Sequence, residues 1–541
     1  MVKMDTKRIS GIIKQDLTPA KIFLFITLSL VIFVRLRLLS MPLDRDEGGW
    51  AYAGWLILNG NAPFTYFYDT KMPVIYYIYA IITMLFGQTI EGVRTGIFFI
   101  IIINMLLVYN LFKRISEDND KCFLASAFYG LLSLDSGTLS LSGYSTHFVL
   151  TFIMLFLIFS LESIKQNNRI MLFVGGIFTG LAFLVKQPSL FFFLFFLLYL
   201  FIINLINNKQ KKEIFVDILI YVAGLILIFF IVCLIMKLYG VFERFWFMTF
   251  DYAMKYGSAI SPQATYSYFS LFLRITSIFF KSVFILFIIK VLVLFFFYKN
   301  LQKKLLHLFL FFSAIGFSIS GFYFYPHYFI IFSLPISLIL AEDFSDSESE
   351  KIIISEKINN FVYVFTIILL LFSQYEILFK LNPIKVSRKI FMQNPFPESI
   401  EIAQFIKNNT NQDDKIAIMG SEPQILFYAK RKSATGYVYF NQLMDPNEIA
   451  DKMQIEAIQE IEEASPKYFI YVNIITSWAM NTKSSERIYN WFKNKFNNKQ
   501  IELVGIINII SPDKTEYVWG REAEKYKLVT PYWIAVLKAK K

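Results

Sequence analysis

Cysteine is nearly absent from the 541 residues. Cys122 and Cys233 are the only two, both inside apolar runs, which excludes a disulfide framework and a thiolate metal site. Charge is scarce as well: 17% of residues are charged against 56% hydrophobic, with 61 Phe and a mean hydropathy of +0.51, which excludes an ordinary soluble globular domain. The net charge of +12 does not signal nucleic acid, because the basic residues form short clusters between apolar runs, where they orient a chain in a bilayer. No cleavable signal peptide is expected either. The apolar segment 21–39 is too long for one, and "MPLDRDE" follows it without a small-residue cleavage site, so it is expected to stay as an anchor. There is no internal repeat. "IAIMGSEP" lacks the glycine-rich fingerprint of a phosphate-binding turn and reads as a plain strand, turn and helix.

What is present is a series of apolar runs near 20–40, 93–113, 122–140, 147–163, 170–186, 189–206, 214–238, 270–298, 305–321, 325–342 and 359–380. Each approaches the roughly 20 residues that a hydrocarbon core of about 30 Å requires. Val74–Phe86 is shorter and falls in the length class of a re-entrant or interfacial segment. A cytoplasmic tail, 1–20, carries Lys3, Lys7, Arg8 and Lys14, followed by Lys21. Treating Val74–Phe86 as embedded rather than crossing keeps "KRISEDNDK", "KQNNR", "NNKQKKE" and "KNLQKK" on that same side. The expectation is a polytopic α-helical membrane domain over 21–385 with about 11 to 13 spans. Its first outer loop is 41–73, and 141–147, Lys186, 239–268 and 321–327 share the outer side. From about Asn394 the apolar runs shrink to five or six residues, which predicts a soluble α/β domain over 390–541 on the outer side. There, "PESIEIAQFIKNNT" has helical spacing, while "DKIAIMG", "KYFIYVN" and "IELVGIINII" read as strands. A Lys-, Asn-, Ile- and Phe-rich composition suits a bacterial chain, and the expected location is the inner membrane with the active site facing the periplasm.

Three outward features carry chemistry. In "DRDEGGWAYAGWLILNG", Asp46 and Glu47 open a short amphipathic helix whose Trp50, Tyr52 and Trp55 suit a membrane interface. In "TYFYDTKMPVIYY", Asp69 and Lys71 lead straight into the short apolar segment. In "GLAFLVKQPSL", Lys186 ends an apolar run beside Pro188; a charge at that depth usually faces a partner or a water-filled cavity. "GFYFYPHYF" adds His327 and Tyr328 at a helix start.

The order of "DRDEGGWAYAGWLILNG", "YDTKMPVIYYIYA", "EGVRTG", "GGIFTGLAFLVKQPSLF", "GFYFYPHYF" and "IAQFIKNNTNQDDKIAIMG" resembles the multi-span C-type glycosyltransferases. Within them it is most similar to the bacterial branch related to dolichyl-phosphate-mannose protein mannosyltransferases and the lipid A aminoarabinose transferase. The resemblance spans nearly the whole chain. It implies an inverting transferase that takes a sugar from a polyprenyl-phosphate carrier on the non-cytoplasmic face and delivers it to a hydroxyl of a lipid, glycan or protein acceptor. It implies Asp46 as general base and Glu47 as its neighbour, orienting the acceptor or supporting Asp46. Lys71 and Lys186 fall at positions for the carrier phosphate, with Asp69 beside Lys71. Arg94 falls in a supporting pair, and His327 and Tyr328 line the donor site. Two departures stand out. His147 occupies the place of an acid in many relatives, and Tyr323 the place of a frequent Arg.

The main alternative is a transporter or flippase of a lipid-linked saccharide, which predicts inverted repeats and ionisable residues near span centres. The noteworthy charges lie instead at the outer ends of runs. Several outward carboxylates are compatible with a divalent cation, but no spacing specifies a metal site.

Overall fold

A computed structural model describes residues 17–258, 261–297, 300–343 and 349–540. Lys3, Lys7, Arg8 and Lys14, used above to orient the chain, lie outside the described residues. Eight helices among the described residues are long and apolar enough to cross a membrane: Pro19–Arg37, Ile90–Ile115, Ser145–Gln166, Gln187–Ile206, Lys211–Leu238, Ile278–Phe296, Leu301–Phe322 and Glu356–Lys380. Three shorter apolar helices accompany them: Val74–Phe86, Arg169–Val185 and Pro326–Ala341. The chain is a multi-pass membrane protein.

The long-helix count is lower than the number of apolar runs because polar residues cut several runs short. The run near 122–140 forms the helix Asn119–Leu132 and stops just before Asp135. That carboxylate is fully buried and accepts from the Thr138 N–H and hydroxyl at 2.7 and 2.8 Å, from Ser277 at 2.5 Å and from Gln374 at 2.7 Å. A carboxylate that collects four donors holds a turn in place of the next helical residues. The run near 270–298 breaks at Thr276, whose ψ of 139° separates the helix Pro262–Ile275 from Ile278–Phe297. The run near 325–342 splits into a tight 3₁₀ segment, Pro326–Phe332, and the helix Ser333–Ala341.

The chain forms two compact units. The first takes in Met1–Leu36, Phe98–Phe229 and Ser261–Lys380. It is helical, and aromatic side chains fill the gaps between its helices: Phe156, Phe196, Tyr221 and Phe309 interlock with ring centroids 4.6 to 5.8 Å apart. Several of its buried or part-buried charges are tied to backbone carbonyls or to opposite charges. Arg35 donates to the Ser133 and Ser140 carbonyls at 2.8 and 3.0 Å, Lys290 to the Leu340 carbonyl and to Asn359 at 2.7 Å each, and Lys121 pairs with Asp343.

The second unit takes in Arg37–Ile97, Phe230–Ile260 and Leu381–Lys541. Its C-terminal part holds five strands: β1 (Ile416–Met419), β2 (Tyr468–Asn473), β3 (Ile501–Ser511), β4 (Lys514–Trp519) and β5 (Trp533–Ala539), in the order β1-β2-β5-β3-β4. β1 and β2 are parallel and are joined through the helix Glu448–Ala464; the remaining pairs are antiparallel. The expected helix is found as Glu398–Asn409. β4 and β5 add to the three strands expected from the sequence, and β5 inserts between β2 and β3. The helices Arg45–Leu58 and Val74–Phe86 pack against each other, and the first also packs against Gln424–Ala429. The helix that follows the first apolar span is thus built into the same unit as the C-terminal sheet.

Candidate active site

Three of the four charges in "DRDE" have structural partners. Asp44 is the N-cap of the helix Arg45–Leu58: its carboxylate accepts from the Asp46 and Glu47 N–H groups at 2.9 and 3.0 Å, while its own N–H donates to Glu47 Oε2 at 3.2 Å. This reciprocal capping box satisfies helix-end donors that would otherwise be orphaned. Arg45 turns away to the C-terminal part, donating to the Ser421 carbonyl at 2.5 Å, to Glu422 at 2.7 Å and to Asn394 at 3.3 Å. Burial works against its charge, but Glu422 more than offsets this and holds the guanidinium above its ordinary pKa. Glu47 is fully buried and receives both Arg94 nitrogens, at 2.5 and 2.8 Å; Arg94 is also tied to the Met41 and Pro42 carbonyls at 3.1 and 3.0 Å. Asp46 is different. It is half-buried, and among the described residues its carboxylate makes no hydrogen bond or ion pair.

Asp69 lies beside this helix, with Trp50 Nε1 donating to its Oδ2 at 3.3 Å. Burial raises its pKa; the charge of Lys71 opposes this and that of Asp46 adds to it. Burial, reinforced by the Glu47 and Asp46 carboxylates, likewise pushes Asp44 well above the ordinary carboxylate range. The Lys71 carbonyl accepts from the Tyr76 hydroxyl at 2.8 Å, which fixes the chain where it enters Val74–Phe86.

Two glycines let the C-terminal part approach this helix. A β-carbon on Gly48 would lie 2.3 Å from Gln424 Cβ, and one on Gly49 would lie 2.0 Å from the Tyr439 hydroxyl. Gln424 in turn donates to Glu422 at 2.6 Å and to Ser399 at 3.0 Å, which steadies the carboxylate that holds Arg45. Glu422 and Gln424 lie in the strand-turn-helix whose sequence, "IAIMGSEP", carries no recognisable motif; only the contact with Arg45, 377 residues away in sequence, gives Glu422 its role.

The first unit gathers a second group. Lys186 ends the helix Arg169–Val185 in an extended conformation (ψ 118°) and is buried. Its ammonium lies 3.6 Å from the centre of the Tyr328 ring and 5.2 Å from that of Phe317, and donates to the Thr146 hydroxyl at 3.2 Å. A desolvated cation over an aromatic face is held by the ring quadrupole. Thr146 donates to the His327 carbonyl at 3.0 Å, and the His327 ring stacks on Tyr144 with centroids 4.2 Å apart. Lys186, His327 and Tyr328 therefore share one cluster. His147, the residue after Thr146, is turned from it: Nε2 is 3.1 Å from the Ser140 carbonyl, and the His147 carbonyl accepts from Asn104 at 3.0 Å. Tyr323 stacks on Tyr325 with centroids 5.2 Å apart. Among the described residues no group of three or more His, Cys, Asp or Glu side chains is arranged to hold a metal ion.

Residues 70–236 match the family described as dolichyl-phosphate-mannose-protein mannosyltransferase, a stretch that includes Lys71, Arg94, His147 and Lys186. The structure is similar to ArnT from Cupriavidus metallidurans bound to undecaprenyl phosphate, with a TM-score of 0.54 and 13% identity over 95% of this chain and 97% of that one. The fold is that of a C-type glycosyltransferase. ArnT from the same organism in the apo state gives a TM-score of 0.52 at 13% identity, again over 95% and 97%. The Archaeoglobus fulgidus oligosaccharyltransferase, in complex with Zn and sulfate, gives 0.48 at 13% identity over 92% of this chain and 73% of that one. No curated protein sequence matches the chain. Within this fold the helix Arg45–Leu58 presents one acid without a hydrogen-bond or ion-pair partner among the described residues, beside three charges engaged in holding structure.

Proposed function

We propose that the chain is an inverting membrane glycosyltransferase that moves a sugar from a polyprenyl-phosphate carrier to a hydroxyl of a lipid, glycan or protein acceptor. The site and the C-terminal domain face the non-cytoplasmic side of a bacterial inner membrane. One observation carries this reading: of the four charges at the start of Arg45–Leu58, Asp46 alone has a carboxylate with no partner among the described residues. A carboxylate held on a rigid helix end and left open suits a general base.

In the reaction, the acceptor oxygen attacks the anomeric carbon as its proton passes to Asp46. The bond from that carbon to the phosphate oxygen breaks, and its electron pair leaves with the polyprenyl phosphate. Negative charge therefore grows on the leaving phosphate, where cations stabilise it. In the second unit Lys71 is assigned that role; in the first unit Lys186, with His327 and Tyr328 beside it, forms a cationic and aromatic cluster suited to a carrier phosphate. The Glu47–Arg94 pair keeps the start of the helix rigid, so that Asp46 is aimed rather than mobile. Asp69 orients the acceptor from beside Asp46, and His147 shapes the loop that precedes Thr146.

Purified protein given polyprenyl-phosphate monosaccharides and hydroxyl-bearing amphiphiles tests the class. Release of polyprenyl phosphate together with a glycosylated acceptor supports it. Movement of the intact lipid-linked sugar across a vesicle bilayer, without bond cleavage, contradicts it.

A further inference from the structure

Tyr439 ends the stretch "KSATGYVY" of the C-terminal part, far in sequence from Asp46, and belongs to no recognisable motif. Its side chain is nonetheless 5% exposed, and its hydroxyl has no hydrogen-bond partner among the described residues. Buried hydroxyls are almost always bonded, so an orphan calls for a reason. The neighbours supply one. The hydroxyl lies against the bare α-carbon of Gly49, where a β-carbon would come within 2.0 Å. Gly49 is three residues beyond Asp46 in the same helix and so falls on the same face. Asp69, held by Trp50 on that face, and Asp46 are the charges that act most strongly on the Tyr439 hydroxyl. The ring is fixed by an edge contact with Phe67, centroids 5.7 Å apart, so the hydroxyl is not free to swing away. Burial raises its pKa far above neutrality, so it is a donor and not a phenolate at working pH.

We propose that Tyr439 is an acceptor-binding residue, whose hydroxyl donates a hydrogen bond to the acceptor hydroxyl compound at the Asp46–Asp69 face. The proposal rests on the transferase reading above and extends it. The C-terminal domain contributes a group to the site, and Gly49 is the residue that leaves room for it. The donation orients the acceptor oxygen so that its own proton points to Asp46. It also discriminates among acceptors, because an analogue without a hydroxyl there leaves the Tyr439 donor unanswered.

Tyr439→Phe removes only the oxygen. The full chain in detergent or nanodiscs is assayed with a panel of undecaprenyl-phosphate monosaccharides as donors and dodecyl maltoside and serine-containing lipopeptides as acceptor probes. The expected result is an acceptor KM raised about tenfold or more, an unchanged donor KM, and a melting temperature equal to or above wild type, because the lost hydroxyl bonded nothing in the folded protein. A merely structural role would instead lower the melting temperature and move both KM values together. An unchanged acceptor KM in Tyr439→Phe overturns the proposal and leaves the transferase reading standing. No transfer by the wild-type protein from any donor to any probe overturns that reading, and this proposal falls with it.

Discussion

Arg94 grips both oxygens of Glu47, at 2.5 and 2.8 Å, with Glu47 fully buried and Arg94 5% exposed. The pair ties the start of Arg45–Leu58 to the helix Ile90–Ile115, and it immediately follows the residue assigned as base. Removing one partner strands the other charge away from water. Glu47→Gln and Arg94→Met are each expected to destabilise the protein by about 3–5 kcal/mol, whereas the double variant Glu47→Gln/Arg94→Met should recover a large part of that loss. Thermal unfolding in one detergent reads this directly, and additive losses in the double variant would contradict a coupled pair.

Gly49 makes a second geometric claim. In Gly49→Ala the new methyl meets the Tyr439 hydroxyl at 2.0 Å, and overpacking of this kind costs about 1–3 kcal/mol. In a Tyr439→Phe background the closest approach opens to the ring carbon at 2.9 Å, so part of the loss should return. A penalty of the same size in both backgrounds would show that the hydroxyl is not the obstacle.

The buried carboxyl of Asp69 gives a pH prediction. Burial raises its pKa in the folded protein, so the folded state binds its proton more tightly than the unfolded chain does. The stability it adds is complete below the ordinary carboxylate pKa of about 3.9 and is lost as pH rises through the raised folded value. Asp69→Asn mimics the protonated form. It should be more stable than wild type at pH 7, with the gap closing as the pH falls toward about 4. A gap independent of pH, in melting temperatures taken across that range, would rule out the shift.

Lys186 is held over Tyr328 at 3.6 Å and bonded to Thr146 at 3.2 Å. Lys186→Met keeps the length and loses the charge, so the fold should survive with little loss. Retention of polyprenyl phosphate through purification should fall by roughly ten- to a hundredfold, the range of a hydrogen bond to a charged group. Mass spectrometry of the extracted lipid measures it; equal recovery from wild type and variant would remove Lys186 from the carrier site.

The hydrophobic runs made the membrane character legible, since length and hydropathy are local properties, and strand-forming runs marked β1, β2 and β3 in the same way. The breaks were harder to see. Asp135 ends a helix only because Ser277 and Gln374 come to it from elsewhere in the chain, and no local pattern shows that. The same holds for the candidate site. Asp46 and Glu47 look equivalent in sequence, two adjacent acids at a helix start. What separates them is Arg94, 47 residues away, which takes Glu47 and leaves Asp46 open. The roles of Asp44 and Arg45 are set by the capping box and by Glu422. Glu422, Gln424 and Tyr439 had no signal beyond ordinary composition, because their part is defined by the close approach that Gly48 and Gly49 permit.

The central claim is that Asp46 takes the acceptor's proton, and Asp46→Asn tests it most directly. That change is nearly isosteric and breaks no hydrogen bond or ion pair among the described residues, so melting temperature and donor binding should match wild type. Turnover with undecaprenyl-phosphate sugars should fall by about 10²–10⁴-fold, the contribution of a positioned general base. Turnover within a few-fold of wild type in folded Asp46→Asn protein would contradict the account.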